Sequence, residues 1–330
     1  MIEIRRAVYE DIPAIMSFID EHWKKGHILA RDRAFFEWQF MDGNNVNVFL
    51  GIDDEKHKIY GIQGVIRYNS SDNPDATGCI WKVIKNDNPR LGLDIADYAY
   101  AALHIRFSCG AGQSNKALKL GRLMGGIPIA MDHYYRLGDC EDYKIAVIKN
   151  KTLPNVEDSG FRLAPVHSVE EMKQVISAEA LANHIMSKDY GYIRHRYFEH
   201  PIYQYYVWKI VDTVGKAHSI LITREETQFN KKICKIVDYY GDISYFSYIT
   251  AALDRMIKEK EYEFVDVYSY GVDTAVYEQA GFLRCDENCE NIIPNYYHPF
   301  EQKNVAIRMI DPMIEGMRLF LGDGDQDRPC

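Results

Sequence analysis

Apolar positions alternate along 2–8, 46–52 and 59–68, and recur every third or fourth residue along 12–23 and 27–40. The chain therefore opens as a strand, two helices and two antiparallel strands joined by a charged turn. Asp11 is the expected cap of the first helix, whose stripe is Ile12, Ile15, Met16 and Ile19. The second helix is dense in aromatics, with Phe35, Phe36, Trp38 and Phe40. A strand follows over 79–84, then a turn over 88–94 holding Pro89 and Gly92, a helix over 95–105, a strand over 107–110 and a helix over 114–126. Strands over 128–135 and 143–148 complete the order β-α-α-β-β-β-α-β-α-β-β.

A polar stretch over 149–160, with Asn, Pro and Asp, reads as a linker. Beyond it the order repeats. A strand over 161–166 precedes a helix over 168–176 that opens on the capping box Ser168-Val169-Glu170-Glu171. Arg196-Tyr197-Phe198-Glu199-His200 echoes Ala34-Phe35-Phe36-Glu37-Trp38, and 234–238 matches 79–83. Strands over 205–211, 218–224 and 264–268, helices over 243–258 and 273–280 and a strand over 304–309 follow. The repetition predicts a mixed α/β chain duplicated from a unit of about 150 residues. The expected domains are 1–150 and 151–330, each a twisted, mostly antiparallel sheet flanked by helices.

Composition narrows the function. At 47% apolar over 330 residues the chain buries sizeable cores, and a net charge of −9 argues against a nucleic-acid partner. No apolar run approaches the ~18 residues of a spanning helix, so no membrane partner is expected. Seven cysteines without a framework spacing read as reduced thiols, which points to the cytoplasm. Cys285 and Cys289 are the one close pair, and no metal site is expected.

The turn over 88–94 is the first candidate for chemistry. A helix N-terminus carries unpaired N–H groups and the positive end of the dipole, so it holds phosphate or pyrophosphate. Gly92 lets backbone and ligand approach closely. The alternative is an ordinary strand-to-helix turn with Asp94 as N-cap.

The whole-chain order resembles the GNAT superfamily of acyl-CoA-dependent N-acyltransferases, in tandem. Tyr277-Glu278-Gln279-Ala280-Gly281-Phe282 looks like the family's tyrosine-to-"GF" helix ending, and 115–126 looks like the same helix in the first half. The resemblance implies acyl-CoA as co-substrate, bound by the first half. Its turn departs from the family's Arg/Gln-x-x-Gly-x-Gly/Ala: Pro89 stands at the Arg/Gln position, Arg90 is one place late and Asp94 replaces the second glycine. The second-half turn, Tyr239-Tyr240-Gly241-Asp242-Ile243, is poorer still, so that half is expected to be structural and substrate-lining. On this resemblance the pyrophosphate lies over Arg90, Leu91, Gly92, Leu93, Asp94 and Ile95. Trp81 and Val83 border the thioester, and Asn115 touches the pantetheine arm. Val83 or Ile84 donates a backbone N–H to the oxyanion. Arg122 occupies the family tyrosine position of the first half, where it stabilises a thiolate without acting as an acid.

The aromatic stretch 27–40 resembles bacterial GNAT enzymes that acylate nucleotide-linked amino sugars for surface polysaccharide. That implies a dTDP- or UDP-amino-deoxyhexose as acceptor and an acetyl or short hydroxyacyl group as cargo. His22, His27, Arg31, Trp38, Gln39 and Tyr134 are the expected substrate contacts. The other view of Phe35, Phe36 and Trp38 is the buried face of a short helix. His133 is the first candidate for general base, with Asp132 as a possible orienter on the opposite strand face. A protein, peptide or aminoacyl acceptor and a non-catalytic binding module are the competing readings. The tail over 321–330, with Asp at every second position, reads as a disordered acidic end, or as one folded back through Arg328.

Overall fold

The computed structural model describes residues 1–329. Contacts divide the chain into one unit of Met1–Gly110 joined by the last residues from Arg328, and a second of Ala111–Asp327. The division thus falls at Gly110/Ala111 and not in the linker over 149–160.

In the first unit β1 (Glu3–Arg6), β2 (Val48–Asp53), β3 (Lys58–Arg67) and β4 (Ala76–Val83) form an antiparallel sheet in that spatial order. β2 is buried along its whole length because both sheet faces are covered. Val48, Leu50 and Ile62 pack on one face with α1 (Ile12–His22), α2 (Ile28–Arg31) and α3 (Arg33–Phe40). Phe49 and Val65 pack on the other with α4 (Leu91–Ala102). The single helix expected over 27–40 is two helices. Asp32 is extended, at φ −115° and ψ 99°, and its carboxylate accepts from Phe35 N at 2.9 Å, capping α3.

The helix expected to begin at Ile95 begins at Leu91. The strand expected over 107–110 is reduced to one parallel bridge between Ala76 and Ser108.

The second unit contains α5 (Asn115–Leu123), β5 (Pro128–Ala130), β6 (Asp132–Leu137), β7 (Arg162–Val166), β8 (Tyr205–Val211), β9 (Ala217–Gln228), β10 (Lys231–Gly241), α6 (Thr250–Lys260), β11 (Tyr262–Tyr270), α7 (Thr274–Gln279), β12 (Leu283–Arg284), β13 (Arg308–Ile310) and β14 (Leu319–Phe320). The main sheet runs β12-β6-β11-β10-β9-β8-β7, with β14 on β11; only β10 and β11 are parallel. The strand expected over 128–135 therefore serves two sheets. β5 pairs with β13, and β6 inserts between β11 and β12. That insertion is why the expected boundary at 150 cuts through a single sheet.

The strand expected over 143–148 does not form. The Glu263 carboxylate accepts from Lys144, Ile145 and Ala146 N at 2.6, 2.9 and 3.1 Å, taking the place of a neighbouring strand. The expected helix over 243–258 is a 3-10 turn followed by α6.

The tail over 321–329 is packed into the fold, and residue 330 lies outside the described residues. Asp323 is buried against Lys188 (2.7 Å), which also meets Asp238 (2.6 Å). Asp327 accepts from Arg224 Nε (3.0 Å) and Nη2 (2.7 Å) and from Tyr205 Oη (2.7 Å). The acidic run is a set of buried anchors, because Lys188, Arg196 and Arg224 of the second unit face it. In the first unit the Arg328 guanidinium lies 5.2 Å from the Trp23 ring centroid.

Candidate functional site

In the first unit β4 is the sheet edge, and the chain beyond α4 returns to it only at its start. Ala76 N donates to Phe107 O at 3.0 Å, and Thr77 Oγ1 to Cys109 O at 2.7 Å. Past that point no strand among the described residues continues along β4, so 79–83 presents an open edge of this sheet.

A bulge re-aims this edge. Its register against β3 shifts between Ile62 and Gly64, and Ile80 takes φ +41°. Cys79 and Ile80, adjacent in sequence, are buried in the same cluster, as a bulge requires. A β-branched residue at positive φ costs about 1–3 kcal/mol, and such strain gathers at working sites. The sequence hint lay across the strand: a Cβ at Gly64 would lie 2.7 Å from Ile80 Cγ1 and 2.9 Å from Cys79 Sγ.

Beyond the bulge Ile84 N donates to Tyr60 O at 2.8 Å, so its N–H is engaged inside the sheet. Val83 sits opposite Gly61 in the alternate position, and its N–H turns to the open edge. Of the two expected oxyanion donors, only Val83 has the geometry.

The turn then brings α4 back over this edge. Asn86 Oδ1 accepts from Asn88 N (2.7 Å) and Asn88 Oδ1 from Arg90 N (2.9 Å), so side chains hold the turn without a glycine pair. Trp81 Nε1 donates to Gly92 O at 2.9 Å. A Cβ at Gly92 would lie 3.2 Å from Val83 Cγ2, so helix and strand are in close contact here. Leu91 N donates to Asn88 O, while Leu93 N and Asp94 N both donate to Arg90 O. The Gly92 N–H is left without a protein partner among the described residues. Asp94 accepts from Asn88 Nδ2 at 2.9 Å and lies 3.6 Å from Arg90 Nε. Its carboxylate lies across the first turn of the helix it was expected to cap. The exposed Arg90 side chain supplies a cation beside the turn, and Leu91 and Ile95 are buried beneath α4.

The structure gathers Trp81, Val83, Arg90, Leu91, Gly92, Leu93, Asp94 and Ile95 into one place. Asn115 and Arg122 belong to the second unit, on the exposed face of α5, where Asn115 Oδ1 accepts from Arg308 at 3.3 Å.

Several expected substrate and base residues are core. His133 is buried, with Nε2 3.1 Å from Asp266, and its ring stacks on Tyr268 at 3.9 Å. Asp266 also holds Lys235 at 2.8 Å. Burial pushes the His133 imidazole below its usual range against the pull of Asp266, so it stays neutral in the interior, away from any cleft. Asp132 turns outward to Arg284. Tyr134 is buried against Tyr277, with its hydroxyl 2.8 Å from Thr274 Oγ1. Tyr277 donates to Ser269 Oγ (2.8 Å), and burial raises its phenol well out of working range. His27 caps α2 by accepting from Leu29 N at 3.1 Å; burial, then Arg328, Lys24 and Arg31, drive its pKa down to about 3. Phe35 and Phe36 are core, and Trp38 stacks on Phe35 at 5.4 Å. Gln39 is half-buried on α3, whereas His22 and Arg31 are exposed.

The second unit repeats the parallel splay but fills it. β10 and β11 pair from Lys232↔Tyr262 to Ile236↔Val267; then Ser269 and Tyr270 of β11 pair with Phe320 and Leu319 of β14. A Cβ at Gly322 would lie 2.8 Å from Val237 O, so the chain's own tail is pressed into the gap.

No protein-family model matches this sequence, and no curated protein matches it. Solved structures match the fold. A GCN5-related N-acetyltransferase from Anabaena variabilis is 10% identical over 94% of this chain and 72% of its own, with a TM-score of 0.54. A probable N-acyltransferase from Enterococcus faecalis is 11% identical over the same shares, with a TM-score of 0.57. The GCN5-related glucosamine N-acetyltransferase region of a fungal multi-domain GH3 beta-N-acetylglucosaminidase is 12% identical over 86% of this chain and 37% of that one, with a TM-score of 0.53. At these identities the likeness shows the fold alone, a mixed α/β fold shared with these structures over most of the chain. No helix among the described residues is long and apolar enough to cross a membrane, and no cluster of three or more metal-ligating side chains occurs among them.

Proposed function

We propose that this chain is an acyl-CoA-dependent N-acyltransferase and that its first unit binds the acyl-CoA. One observation carries the reading: the open β4 edge, with the Val83 N–H turned outward, lies beside the unpartnered Gly92 N–H of α4. A strand edge matches the amides of a pantetheine arm, and a helix N-terminus matches its pyrophosphate.

In this mechanism the amine nitrogen forms a bond to the thioester carbon and the carbon–sulfur bond breaks. The Val83 N–H holds the oxyanion while charge develops on the carbonyl oxygen. The electron pair leaves as thiolate, a tolerable leaving group that needs no acid. The ammonium proton passes to water, since His133 and Tyr277 are buried in the second unit. The strained bulge at Ile80 fixes the direction of the edge before any substrate arrives.

The acceptor to test first is a nucleotide-linked amino sugar. The likeness to the fungal glucosamine N-acetyltransferase region supports an amino sugar, and of the expected contacts His22 and Arg31 are exposed. The burial of His27, Phe35, Phe36 and Tyr134 removes them from that role.

Thermal unfolding with CoA and short acyl-CoAs tests the reading. A ligand at ~100 times its dissociation constant adds roughly 2.7 kcal/mol to the folded state. The stabilisation is expected with the wild type and absent from Gly92→Glu, whose side chain enters the cradle. No stabilisation by any acyl-CoA would sink the proposal. Stabilisation retained by Gly92→Glu would move the site elsewhere. Transfer to dTDP- or UDP-linked amino sugars, compared with peptide amines, then decides the acceptor.

A further inference from the structure

Helix α5 is half-wasted as a packing element. Leu118 is its one buried residue, and Gly121 closes against Ile310, where a Cβ would meet Cγ1 at 2.5 Å. The opposite face carries Lys116, Lys119 and Leu123, at i, i+3 and i+7, so they share one stripe. Arg122 flanks that stripe. All four side chains are exposed, and none of the three cations forms an ion pair among the described residues.

Large apolar side chains extend this surface into solvent. Leu123 is 86% exposed, Met124 68% and Ile127 54%. Asp311 N donates to Ile127 O at 2.7 Å, which brings the following loop alongside, and its Met313 is 64% exposed. The neighbouring carboxylates are Glu315, which is exposed, and Asp311, which accepts from Tyr270 Oη (2.7 Å) and Met313 N (2.8 Å). Four apolar side chains and three free cations side by side are unusual on a chain of net charge −9.

Two occupants fit an apolar patch: another protein or a lipid surface. A second copy of this chain meeting the patch about a two-fold axis would bring three further unpaired cations into one interface, against one exposed carboxylate, Glu315, from each copy. The charge favours an anionic partner. The interleaving of Lys119 with Leu123 and Met124 favours one offering negative headgroups above an apolar layer. We propose that the outer face of α5, with Ile127 and Met313, docks this chain on an anionic lipid surface. The cations meet the headgroups and Leu123, Met124, Ile127 and Met313 enter the acyl boundary. The docking is peripheral, and it leaves the acyl-CoA site to the first unit.

Co-sedimentation of the full chain with vesicles tests this directly. The chain is expected to pellet with vesicles of phosphatidylglycerol and phosphatidylcholine and to stay in solution with phosphatidylcholine alone. Lys116→Glu/Lys119→Glu is expected to lose affinity roughly fivefold or more for each cation removed. Leu123→Glu/Met124→Glu is expected to abolish pelleting with an unchanged unfolding temperature, because neither side chain touches the core. Three results would overturn the proposal. One is no binding to anionic vesicles. Another is binding that neither variant alters. The third is a doubled mass in light scattering that Leu123→Glu/Met124→Glu returns to monomer, which would assign the patch to a protein interface.

Discussion

The indole N–H of Trp81 donates to the carbonyl oxygen of Gly92 at 2.9 Å and ties the open end of β4 to the first turn of α4. The bond holds the first turn of the helix, with its unpaired N–H groups, close to that strand. Trp81→Phe keeps the ring and removes the donor. It is expected to cost about 1 kcal/mol of stability and to weaken acyl-CoA binding in calorimetry. Equal affinity in wild type and Trp81→Phe would show that this tie does not shape the cradle.

Asp94 sets a carboxylate on the same turn, held by Asn88 and facing Arg90. It stabilises the helix dipole in the free protein and repels any phosphate that approaches the same N–H groups. Asp94→Asn therefore has two opposite effects. The free protein is expected to lose about 0.3–1 kcal/mol in urea unfolding. Acyl-CoA is expected to bind more tightly, with the larger gain at low salt. An affinity that falls or stays fixed in Asp94→Asn would place the phosphates away from α4.

Buried histidines set the acid side of the stability profile. His27 and His200 are driven down to about 3, by burial first, then by Arg328 for His27 and Arg196 for His200. Burial also lowers His133 and His184. Unfolded, His27 and His200 take a proton near pH 6.5; folded, they stay neutral down to about 3. Across that window the unfolded chain binds more protons, so their contribution is full above 6.5 and falls with pH by about 1.4 kcal/mol per unit for each, and His133 and His184 act in the same direction. Asp323 runs the other way. Its pKa is raised from 3.8 to about 6, so its contribution falls as pH rises through that window. His27→Asn keeps a capping oxygen and removes the titration. The slope of urea midpoints between pH 6.5 and 5 is expected to flatten in that variant, and an unchanged slope would contradict the assignment.

The local patterns were legible where side chains speak to near neighbours. The alternation over 59–68 and the stripe Ile12, Ile15, Ile19 appear as β3 and α1. The turn over 88–94 was found from Pro89 and Gly92 alone, though α4 begins earlier because Asn88 accepts from Arg90 N. Pairing at long range was not legible. Nothing near Asp132–Leu137 announces that it lies between β11 and β12, more than a hundred residues on. His133 looked like a base because Asp266 and Lys235, its partners, are remote in sequence. Asp323 and Asp327 looked like a solvated tail because a carboxylate carries no sign of the buried cation that awaits it. The bulge at Ile80 was hidden for the opposite reason, since isoleucine is among the residues least expected at positive φ.

His133 separates a structural from a catalytic role. Its ring bridges Tyr268 and Asp266 in the second unit, and Asp266 neutralises Lys235. His133→Asn is expected to lower stability by about 1–3 kcal/mol while leaving the pH profile of kcat/KM in place. A missing acidic limb in that profile would restore His133 as a base. Asp266→Asn strands a buried lysine and is expected to be worse, by about 3–5 kcal/mol.

The two tail carboxylates should respond in opposite ways to the same change. Asp327 is fully buried, yet Arg224 and Arg196 hold it below the usual carboxylate range, so the folded state favours its ionised form. Asp327→Asn leaves two buried guanidinium groups short of charge, with Glu226 remaining on Arg224 alone. A loss of about 3–5 kcal/mol in urea unfolding is expected at pH 8. For Asp323 burial and the Asp238 charge outweigh Lys188, so the folded state favours its neutral form. Asparagine supplies a neutral group of the same shape, and Lys188 keeps Asp238 at 2.6 Å. Asp323→Asn is therefore expected to match or exceed wild type in stability at pH 8 and to lose that advantage as pH falls from about 6 to 3.8. If Asp323→Asn proves as damaging as Asp327→Asn, the tail is held by the charge of both carboxylates, and the weaker hold assigned to Asp323 is wrong.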